Sequence, residues 1–302
     1  MIQKYIPNSV LSCMEYAKRC DHYIMRDTAK NYGFPNKKIL LNDIKNGDSV
    51  WCHGMQLVSL FNYIETTDLK DLILISGDED NSTNPNGTLV AGMVQTALNS
   101  GYSVVKFLPK HFKTWYSQNA TVVNNTMVPI PIGLCPPWGM GVSNSEELSK
   151  MIGEYERNKL LYINFTTVTN PIQRTQIFDI VTGNMKTMCT SATYINEKND
   201  MLSYYKGLQE HMYVLCPPGN GKDTHRLWES LYCGAIPIVE YSEANVYFAK
   251  MFPILVVERW SDITPEFLEK QTQRFMSTIW QYNLLDCDNL LKEHAIKIKG
   301  II

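Results

Sequence analysis

Short apolar runs alternate with amphipathic stretches along most of the chain, and this alternation predicts strands and helices in turn. In the first half, DLILIS at 71–76 has the continuous apolar character of a strand buried on both faces. Further elements are predicted as strands at 49–53 and 102–107 and as helices at 14–30, 55–64 and 89–99. The first half therefore predicts repeated strand–helix units.

The alternation resumes after a stretch rich in proline and glycine, CPPWGMGVSN at 135–144. Strands are predicted at 159–165, 213–216, 236–239 and 254–257, and helices at 146–156, 175–182, 200–209 and 224–232. Beyond Thr264 the chain is predicted to be helical to near its end, with Pro265 in a first turn. A stripe of apolar residues marks that last part: Phe267, Leu268, Phe275, Ile279 and Trp280.

Two successive sets of alternating strands and helices predict an α/β protein with two doubly wound domains facing a cleft. We expect an N-terminal domain at 1–145 and a C-terminal domain at 146–302 that carries the terminal helices. In such folds ligands bind where the carboxyl ends of the strands meet the cleft.

The stretch with the most chemical information is YVLCPPGNGKDTHRLWESLYCGAIPIVE at 213–240. A strand ends at Pro217 and Pro218, a glycine-containing turn follows, and Asp223 or Thr224 offers an N-cap for the next helix. Gly234 then ends the helix before a second strand. Because the free N–H groups of such a turn converge with the positive end of the helix, the unit predicts an anion site.

Helical spacing adds two charged side chains to this turn. Arg226 and Glu229 lie three apart and share one side of the helix, so a cation suited to phosphate stands beside an acceptor suited to hydroxyls. The segment lacks the Ser/Thr after Gly-Lys and the third glycine that the two common phosphate-binding fingerprints require. An ordinary turn with a surface Arg–Glu pair is the alternative.

At this point the residues resemble a known family. CPPGNGKDTHRLWESLYCGAIPIVE is similar to the nucleotide-sugar signature of exostosin-like glycosyltransferases, roughly Pro-x-Gly-x-x-x-Asp/Thr-x-Arg-x-Trp-Glu-x-Leu-x-x-Gly-x-Ile-Pro-Val. The similarity extends more loosely over LILISGDED, TWYSQN, PIPIGL, YINFTTVTNPIQR and VVERWSDI. It implies the two-domain GT-B fold, with the acceptor bound by the first domain and a nucleotide sugar by the second.

The resemblance also implies roles for the residues around the turn. Arg226 matches the family arginine on the diphosphate, and Glu229 the carboxylate on the ribose hydroxyls. Arg174, after the strand at 159–165, is a second cation for the diphosphate, or else an exposed helix arginine. The backbone of Gly219, Asn220 and Gly221 would border the donor phosphates, whereas Asp223, Thr224 and His225 contact the donor sugar or cap the helix.

The acceptor half needs a general base, because the acceptor hydroxyl loses a proton as it attacks the anomeric carbon. Family members invert, and their G-x-x-D turn maps the base onto Asp80, with Asp78 in reserve. A solvated acidic loop is one alternative, and His53 is another base, although a lone histidine there also fits a structural hydrogen-bonding role. The same Asp-x-Asp triplet could hold a divalent metal. We predict metal independence and no cofactor, because Arg226 and the turn already serve the phosphates.

Aromatic residues near the cleft have structural alternatives as well. Trp115, Tyr116 and Asn119 form either a platform for a glycan acceptor or part of a buried helix. Trp138 and Trp260 are interpreted as structural.

Composition narrows the partners. A net charge of -2 gives no reason to invoke nucleic acid or an anionic membrane. The eight cysteines are scattered, and Cys52, Cys216 and Cys233 stand in apolar surroundings, as buried thiols do.

The first residues contain no sustained apolar run, so we expect neither a signal peptide nor a membrane span, and a cytoplasmic protein. Anchorless chains of this kind are similar to exostosin-like enzymes of large algal viruses and some bacteria. The resemblance therefore implies a host-cytoplasmic location if the source is viral, and a UDP-sugar donor, with UDP-xylose as one candidate.

Overall fold

The structure is a computed structural model that describes residues 2–25, 41–77, 110–120, 123, 127–136, 141–184, 192–193 and 200–294. Within these residues it is an α/β protein with two five-stranded sheets in which every strand pairing is parallel. Parallel strands require crossover connections, and the alternation of the sequence supplies the helices for them. The predicted α/β class is therefore confirmed.

The first sheet is built by the first half of the chain. Its strands are hydrogen-bonded in the order β1 (His22–Ile24), β2 (Ser49–His53), β3 (Leu72–Gly77), β4 (Phe112–Ser117) and β5 (Met127–Pro129). The accompanying α-helices are α1 (Cys13–Arg19) and α2 (Leu57–Glu65), with 3₁₀ turns at Leu41–Asp43 and Gly54–Gln56. Among the described strands this order never reverses, and the strand predicted at 102–107 lies outside the described residues, so the doubly wound arrangement of the first half stays a prediction.

The second sheet has the order β10-β9-β8-β6-β7, with strands β6 (Lys159–Asn164), β7 (Ala192–Thr193), β8 (His211–Leu215), β9 (Ile236–Glu240) and β10 (Leu255–Val257). Its α-helices are α3 (Ser145–Met151), α4 (Pro171–Asn184), α5 (Met201–Glu210), α6 (His225–Tyr232), α7 (Glu243–Phe248), α8 (Pro265–Ser277) and α9 (Cys287–Glu293). The 3₁₀ helices Trp260–Asp262 and Tyr282–Leu285 complete it.

The strand order of the second sheet reverses at β6. Strand β7 lies on one side of β6, and β8, β9 and β10 follow on the other. Loops that leave the carboxyl ends of neighbouring strands in opposite directions open a crevice at such a reversal. The second sheet therefore places a ligand crevice between the ends of β6 and β8.

The hydrophobic core explains how the two sheets are joined. One cluster packs α2 against the first sheet, and another packs α4 and α8 against the second. The largest cluster spans both sheets and includes Trp51 and Ile75 from the first and Val214 and Trp228 from the second half. The first residues of the chain join this shared core, since the Leu11 backbone N–H donates to the Tyr232 hydroxyl at 2.8 Å. The division at residue 145 stays a prediction.

Several predicted boundaries need correction. The helix predicted at 14–30 ends at Arg19, because the Asp21 carboxylate accepts the Ser49 N–H at 2.9 Å and turns the chain into strand β1. The helix predicted at 146–156 ends at Met151. The predicted apolar stripe near the C-terminus includes Leu268 and Phe275, which are buried, but Ile279 lies beyond helix α8 and is 94 % exposed.

Other predictions hold, or fall outside the described residues. Cys52, Cys216 and Cys233 are buried thiols, and burial raises the pKa of Cys216 to about 12. The helix predicted at 89–99, the strand at 102–107 and Trp138 lie outside the described residues. In the described parts of the chain, no helix combines the length and the apolar character needed to cross a bilayer.

Candidate functional site

The turn between β8 and α6 has the local geometry that the sequence predicts. Strand β8 ends at Leu215, and the Gly219 N–H donates to the Gly221 carbonyl at 2.9 Å, which closes the turn. Thr224 occupies the N-cap position with an extended backbone, but its side chain makes no capping hydrogen bond. Gly234 ends α6 with a φ of 73°, a conformation that favours glycine. No side chain caps the start of α6, so an anion could accept hydrogen bonds from its first N–H groups.

A cavity of about 210 Å³ lies against this turn. Thr169 and Arg174, which follow β6, border one side, and the segment that follows β8 borders another, so the cavity stands at the crevice defined by the strand order. Ile132 from the first half of the chain also borders it. The lining includes every residue for which a donor role is predicted: Arg174, Gly219, Asn220, Gly221, Asp223, Thr224, His225, Arg226 and Glu229.

Arg226 and Glu229 are two of the charged side chains that line the cavity. The Nε of Arg226 is buried and has no hydrogen-bond partner among the described residues. Burial acts to lower the pKa of Arg226, but Tyr204, Cys216 and Glu229 act against it and the net shift is upward, so the guanidinium stays charged. Glu229 is buried, and its Oε2 accepts a hydrogen bond from the Tyr204 hydroxyl, with 2.6 Å between the two oxygens. A half-buried guanidinium whose buried Nε has no hydrogen-bond partner among the described residues is a reason to expect an anionic ligand.

Arg174 is not the exposed helix arginine of the alternative interpretation. It is 5 % exposed, and its Nε donates to the Pro218 carbonyl at 2.9 Å while its Nη1 donates to the Thr166 carbonyl at 2.7 Å. The guanidinium therefore ties the loop after β6 to the turn after β8. Its Nη2 lies beside Gly219, where an added Cβ would stand only 3.1 Å away. Arg174 shapes the cavity and brings its charge to the cavity wall.

Asp223 joins the turn to the first half of the chain. Its Oδ2 accepts the Ile132 N–H at 2.8 Å, its Oδ1 accepts the Trp228 Nε1–H at 2.8 Å, and its own N–H donates to Asn119 Oδ1 at 2.8 Å. Burial raises the pKa of Asp223 to about 7, although the hydrogen bonds act to lower it. Both carboxylate oxygens therefore accept N–H groups within the fold, and the N-cap position of α6 is Thr224 rather than Asp223. Contact of Asp223 with the donor sugar stays a prediction.

His225 and Asn119 strengthen the same connection. His225 Nδ1 lies 2.8 Å from the Gly133 carbonyl oxygen, which fixes the first residue of α6 against the segment after β5. Asn119, at the end of β4, has a φ of 55°. Its amide lies so close to Gly221 that an added Cβ there would stand 2.6 Å from Oδ1. The carboxyl edge of the first sheet thus contacts the turn that borders the cavity.

The predicted bases, Asp78 and Asp80, lie outside the described residues, as does Glu79. Strand β3 ends at Gly77, directly before them, and pairs with β4, whose end leads to Asn119. His53, the alternative base, is completely buried at the end of β2. In the described parts of the chain, no three His, Cys, Asp or Glu side chains cluster as metal ligands, and the Asp-x-Asp loop is not among those residues.

The aromatic platform predicted for an acceptor is not formed by Trp115 or Tyr116. They belong to strand β4, so the buried-helix alternative is also wrong. The Trp115 Nε1 donates to Ser76 Oγ at 2.7 Å in the core, and the Tyr116 hydroxyl donates to the His294 carbonyl at 2.9 Å. Trp260 is buried, as a structural residue would be.

Sequence reasoning did not single out Tyr204, Ile132 or Thr169. Tyr204 stands 25 residues before Glu229, its hydrogen-bond partner, on a different helix. No local motif marks such a residue. A tyrosine on the helix before the glycine turn would have been a weak signal at best, because helix α5 carries two adjacent tyrosines with different surroundings.

Comparison with known proteins adds little to this site. No family model matches the chain, and no curated protein matches it. Among solved structures, the chain is similar to one described as the glycotransferase of kitacinnamycin, at 11% sequence identity and a TM-score of 0.38. That likeness covers 81% of this chain and 71% of the other. We therefore base the function on the site itself.

Proposed function

We propose that this protein is a glycosyltransferase that moves a sugar from a nucleoside diphosphate donor to a hydroxyl group of a glycan. The observation that carries the proposal is the cavity after β8, where the charged Arg226 with its unsatisfied Nε stands beside the carboxylate of Glu229. A nucleoside diphosphate offers anionic oxygens to the first and ribose hydroxyls to the second. The motif resemblance to exostosin-like transferases supports the same ligand.

The chemistry of transfer explains why a cation must stand in this cavity. The acceptor oxygen attacks the anomeric carbon, the bond from that carbon to the diphosphate oxygen breaks, and negative charge grows on the leaving diphosphate. Arg226, the charge of Arg174 and the uncapped start of α6 are fixed before the reaction, so they stabilise this charge without reorganising. This supports transfer without a metal ion as part of the proposal.

The acceptor proton needs a base on the face of the sugar opposite the diphosphate. We propose Asp80, with Asp78 in reserve, in a GT-B arrangement of residues 1–145 and 146–302. Support comes from the described end of the first sheet, where β3 pairs with β4 and Asn119, which follows β4, lies against the turn at Gly221. One displacement of this kind inverts the anomeric centre. UDP is the proposed nucleotide, and UDP-xylose the first donor to try.

Binding of nucleotides tests the proposal directly. Isothermal titration with UDP, CDP and GDP in EDTA is expected to show binding of UDP, and Arg226→Ala should weaken it at least about tenfold, since a charge-assisted hydrogen bond is lost. Arg259→Ala is the matched control, because Arg259 is 75% exposed and pairs with Asp262 at 3.0 Å. Its UDP affinity should equal that of the wild type. Binding of none of the three nucleotides would refute the proposal.

Two alternatives have distinct outcomes in turnover assays. If EDTA abolishes sugar transfer but not UDP binding, the enzyme is a metal-dependent transferase that uses Asp78 and Asp80. If the wild type transfers no sugar, and Asp80→Asn and Asp78→Asn keep UDP binding while Arg226→Ala removes it, the protein is a binding module without chemistry. The proposed mechanism instead predicts transfer in EDTA and its loss in Asp80→Asn with UDP binding retained.

A further inference from the structure

We propose that Tyr204 is a positioning residue for Glu229, and that it thereby makes the cavity select ribonucleotides over their 2′-deoxy counterparts. The inference rests on the proposed function, since it concerns how the same cavity reads the ribose of its nucleotide. Tyr204 lies outside the glycine-turn motif and is not among the residues that line the cavity.

The contact between the two side chains is short and well supported. The Tyr204 hydroxyl donates to Glu229 Oε2 at 2.6 Å, from helix α5 to helix α6. The Tyr204 ring is held in turn by two neighbours, tilted at 39° to Tyr162 and edge-on at 89° to Tyr205. Burial and the neighbouring Glu229 raise the pKa of Tyr204 well above its ordinary value, so at neutral pH the tyrosine is the donor. A rigid ring therefore fixes one oxygen of the carboxylate.

Fixing one oxygen determines what the other can do. With Oε2 bound to Tyr204, the carboxylate plane is set, and Oε1 remains as the acceptor for a ligand hydroxyl. Glu229 and Arg226 both border the cavity, so a nucleotide whose phosphates lie at Arg226 brings its ribose to Oε1. A group that accepts in one fixed direction discriminates strongly against a ligand that lacks the matching hydroxyl. Without the tyrosine hydroxyl, the carboxylate would rotate, and this discrimination would fall.

Tyr205 provides a closely matched control. It is the next residue of α5, it is fully buried, and its hydroxyl has no hydrogen-bond partner among the described residues. Tyr205→Phe therefore deletes the same atom from the same helix without removing a bond to Glu229. A general loosening of α5 would affect both variants, whereas loss of positioning would affect Tyr204→Phe alone.

The experiment measures the dissociation constants of UDP and 2′-deoxy-UDP by titration calorimetry for the wild type, Tyr204→Phe and Tyr205→Phe. The wild type should prefer UDP by about 10- to 100-fold, the range for a hydrogen bond to a charged group. In Tyr204→Phe we expect weaker UDP binding with 2′-deoxy-UDP affinity unchanged, so that the preference falls at least about fivefold. Tyr205→Phe should keep the wild-type preference, and melting temperatures of the variants report on folding.

Each other result overturns the inference in a recognisable way. An unchanged preference in Tyr204→Phe, or an equal fall in Tyr205→Phe, refutes positioning while leaving the donor site intact. Equal binding of both nucleotides by the wild type, with binding still lost in Arg226→Ala, refutes ribose selection but not the proposed function. No binding of either nucleotide refutes the inference, and it refutes the proposed function as well if CDP and GDP also fail to bind. If Tyr204→Phe does not fold, Tyr204→Trp and Glu229→Gln replace it, and the preference must fall in Glu229→Gln.

Discussion

Replacing Asp223 with asparagine should change the stability of the protein in a way that depends on pH. Asp223 is 5 % exposed, and its two oxygens accept N–H groups from Ile132 and from Trp228. Asparagine keeps the shape but turns one acceptor into a donor, so one of these N–H groups would face an NH₂ group. Leaving a buried donor unsatisfied costs about 1–3 kcal/mol. At pH 5 we therefore expect Asp223→Asn to be less stable than the wild type.

As the pH rises, ionisation of Asp223 lowers the stability of the wild type, whereas the asparagine variant has no such group. Its pKa is raised from 3.8 in the unfolded chain to about 7 in the fold, so the folded state binds the proton more tightly. The stability that this proton contributes is fully present below pH 3.8 and is lost as the pH rises through 7. The whole shift corresponds to about 4 kcal/mol, of which about 2–3 kcal/mol falls between pH 5 and 8. Asparagine has no such proton to lose.

Chemical denaturation followed by tryptophan fluorescence, at pH 5, 6, 7 and 8, measures this effect as the difference in unfolding free energy between wild type and variant. The deficit of Asp223→Asn should shrink by about 2–3 kcal/mol across this range, and it could reverse near pH 8. Asp262→Asn is the control, because the Asp262 side chain is partly exposed and pairs with Arg259. A difference that stays constant from pH 5 to 8 would show that Asp223 ionises normally, and the reasoning from its burial would be wrong.

Further predictions test the packing and the cavity. Gly207→Ala should destabilise the protein by about 1–3 kcal/mol in a denaturation assay, because the new Cβ would stand 2.3 Å from the ring of Tyr162. Gly183→Ala should instead stabilise helix α4 by about 0.5–1 kcal/mol, because its new Cβ would have no atom within 4 Å. If both changes have the same sign, the close packing of α5 against Tyr162 is wrong. Arg174→Lys keeps the charge but cannot donate to the Pro218 and Thr166 carbonyls at once, so calorimetry should show UDP binding weakened about tenfold. An unchanged affinity would contradict the role of Arg174 in shaping the turn.

Much of the fold could be predicted because its signals are local. Runs such as 71–76 and 213–216 have the apolar character of buried parallel strands, and both were found within a residue or two of their predicted limits. Strand β1 was missed because its three residues are too short to show a period, and it forms by pairing with β2. The strand order of the first sheet was missed because no sequence pattern specifies which strands are neighbours.

In the candidate site too, the local features could be predicted from the sequence and the long-range contacts could not. The candidate donor residues between Gly219 and Glu229 line one cavity because a turn and one helix hold them together. The contacts that join this unit to the rest of the chain were not predictable. Asp223 meets Ile132 across 91 residues and Asn119 across 104 residues, and only the packing of the two sheets brings them together.

The charged residues around the cavity are of two kinds: those whose polar atoms are hydrogen-bonded within the fold, and Arg226, which keeps an unsatisfied donor. Asp223 accepts the Ile132 backbone N–H and the Trp228 indole N–H, and Arg174 donates to the backbone carbonyls of Pro218 and Thr166. Changing either residue therefore acts on the fold before it acts on a ligand. Arg226 keeps a buried Nε without a partner among the described residues, so one of its donors stays unsatisfied until an anion binds. Arg226→Ala should therefore leave the free protein as stable as the wild type, or more stable, while it removes the stabilisation that UDP provides. A thermal melt of both proteins with and without UDP distinguishes this from a structural role, in which the free variant itself would melt earlier.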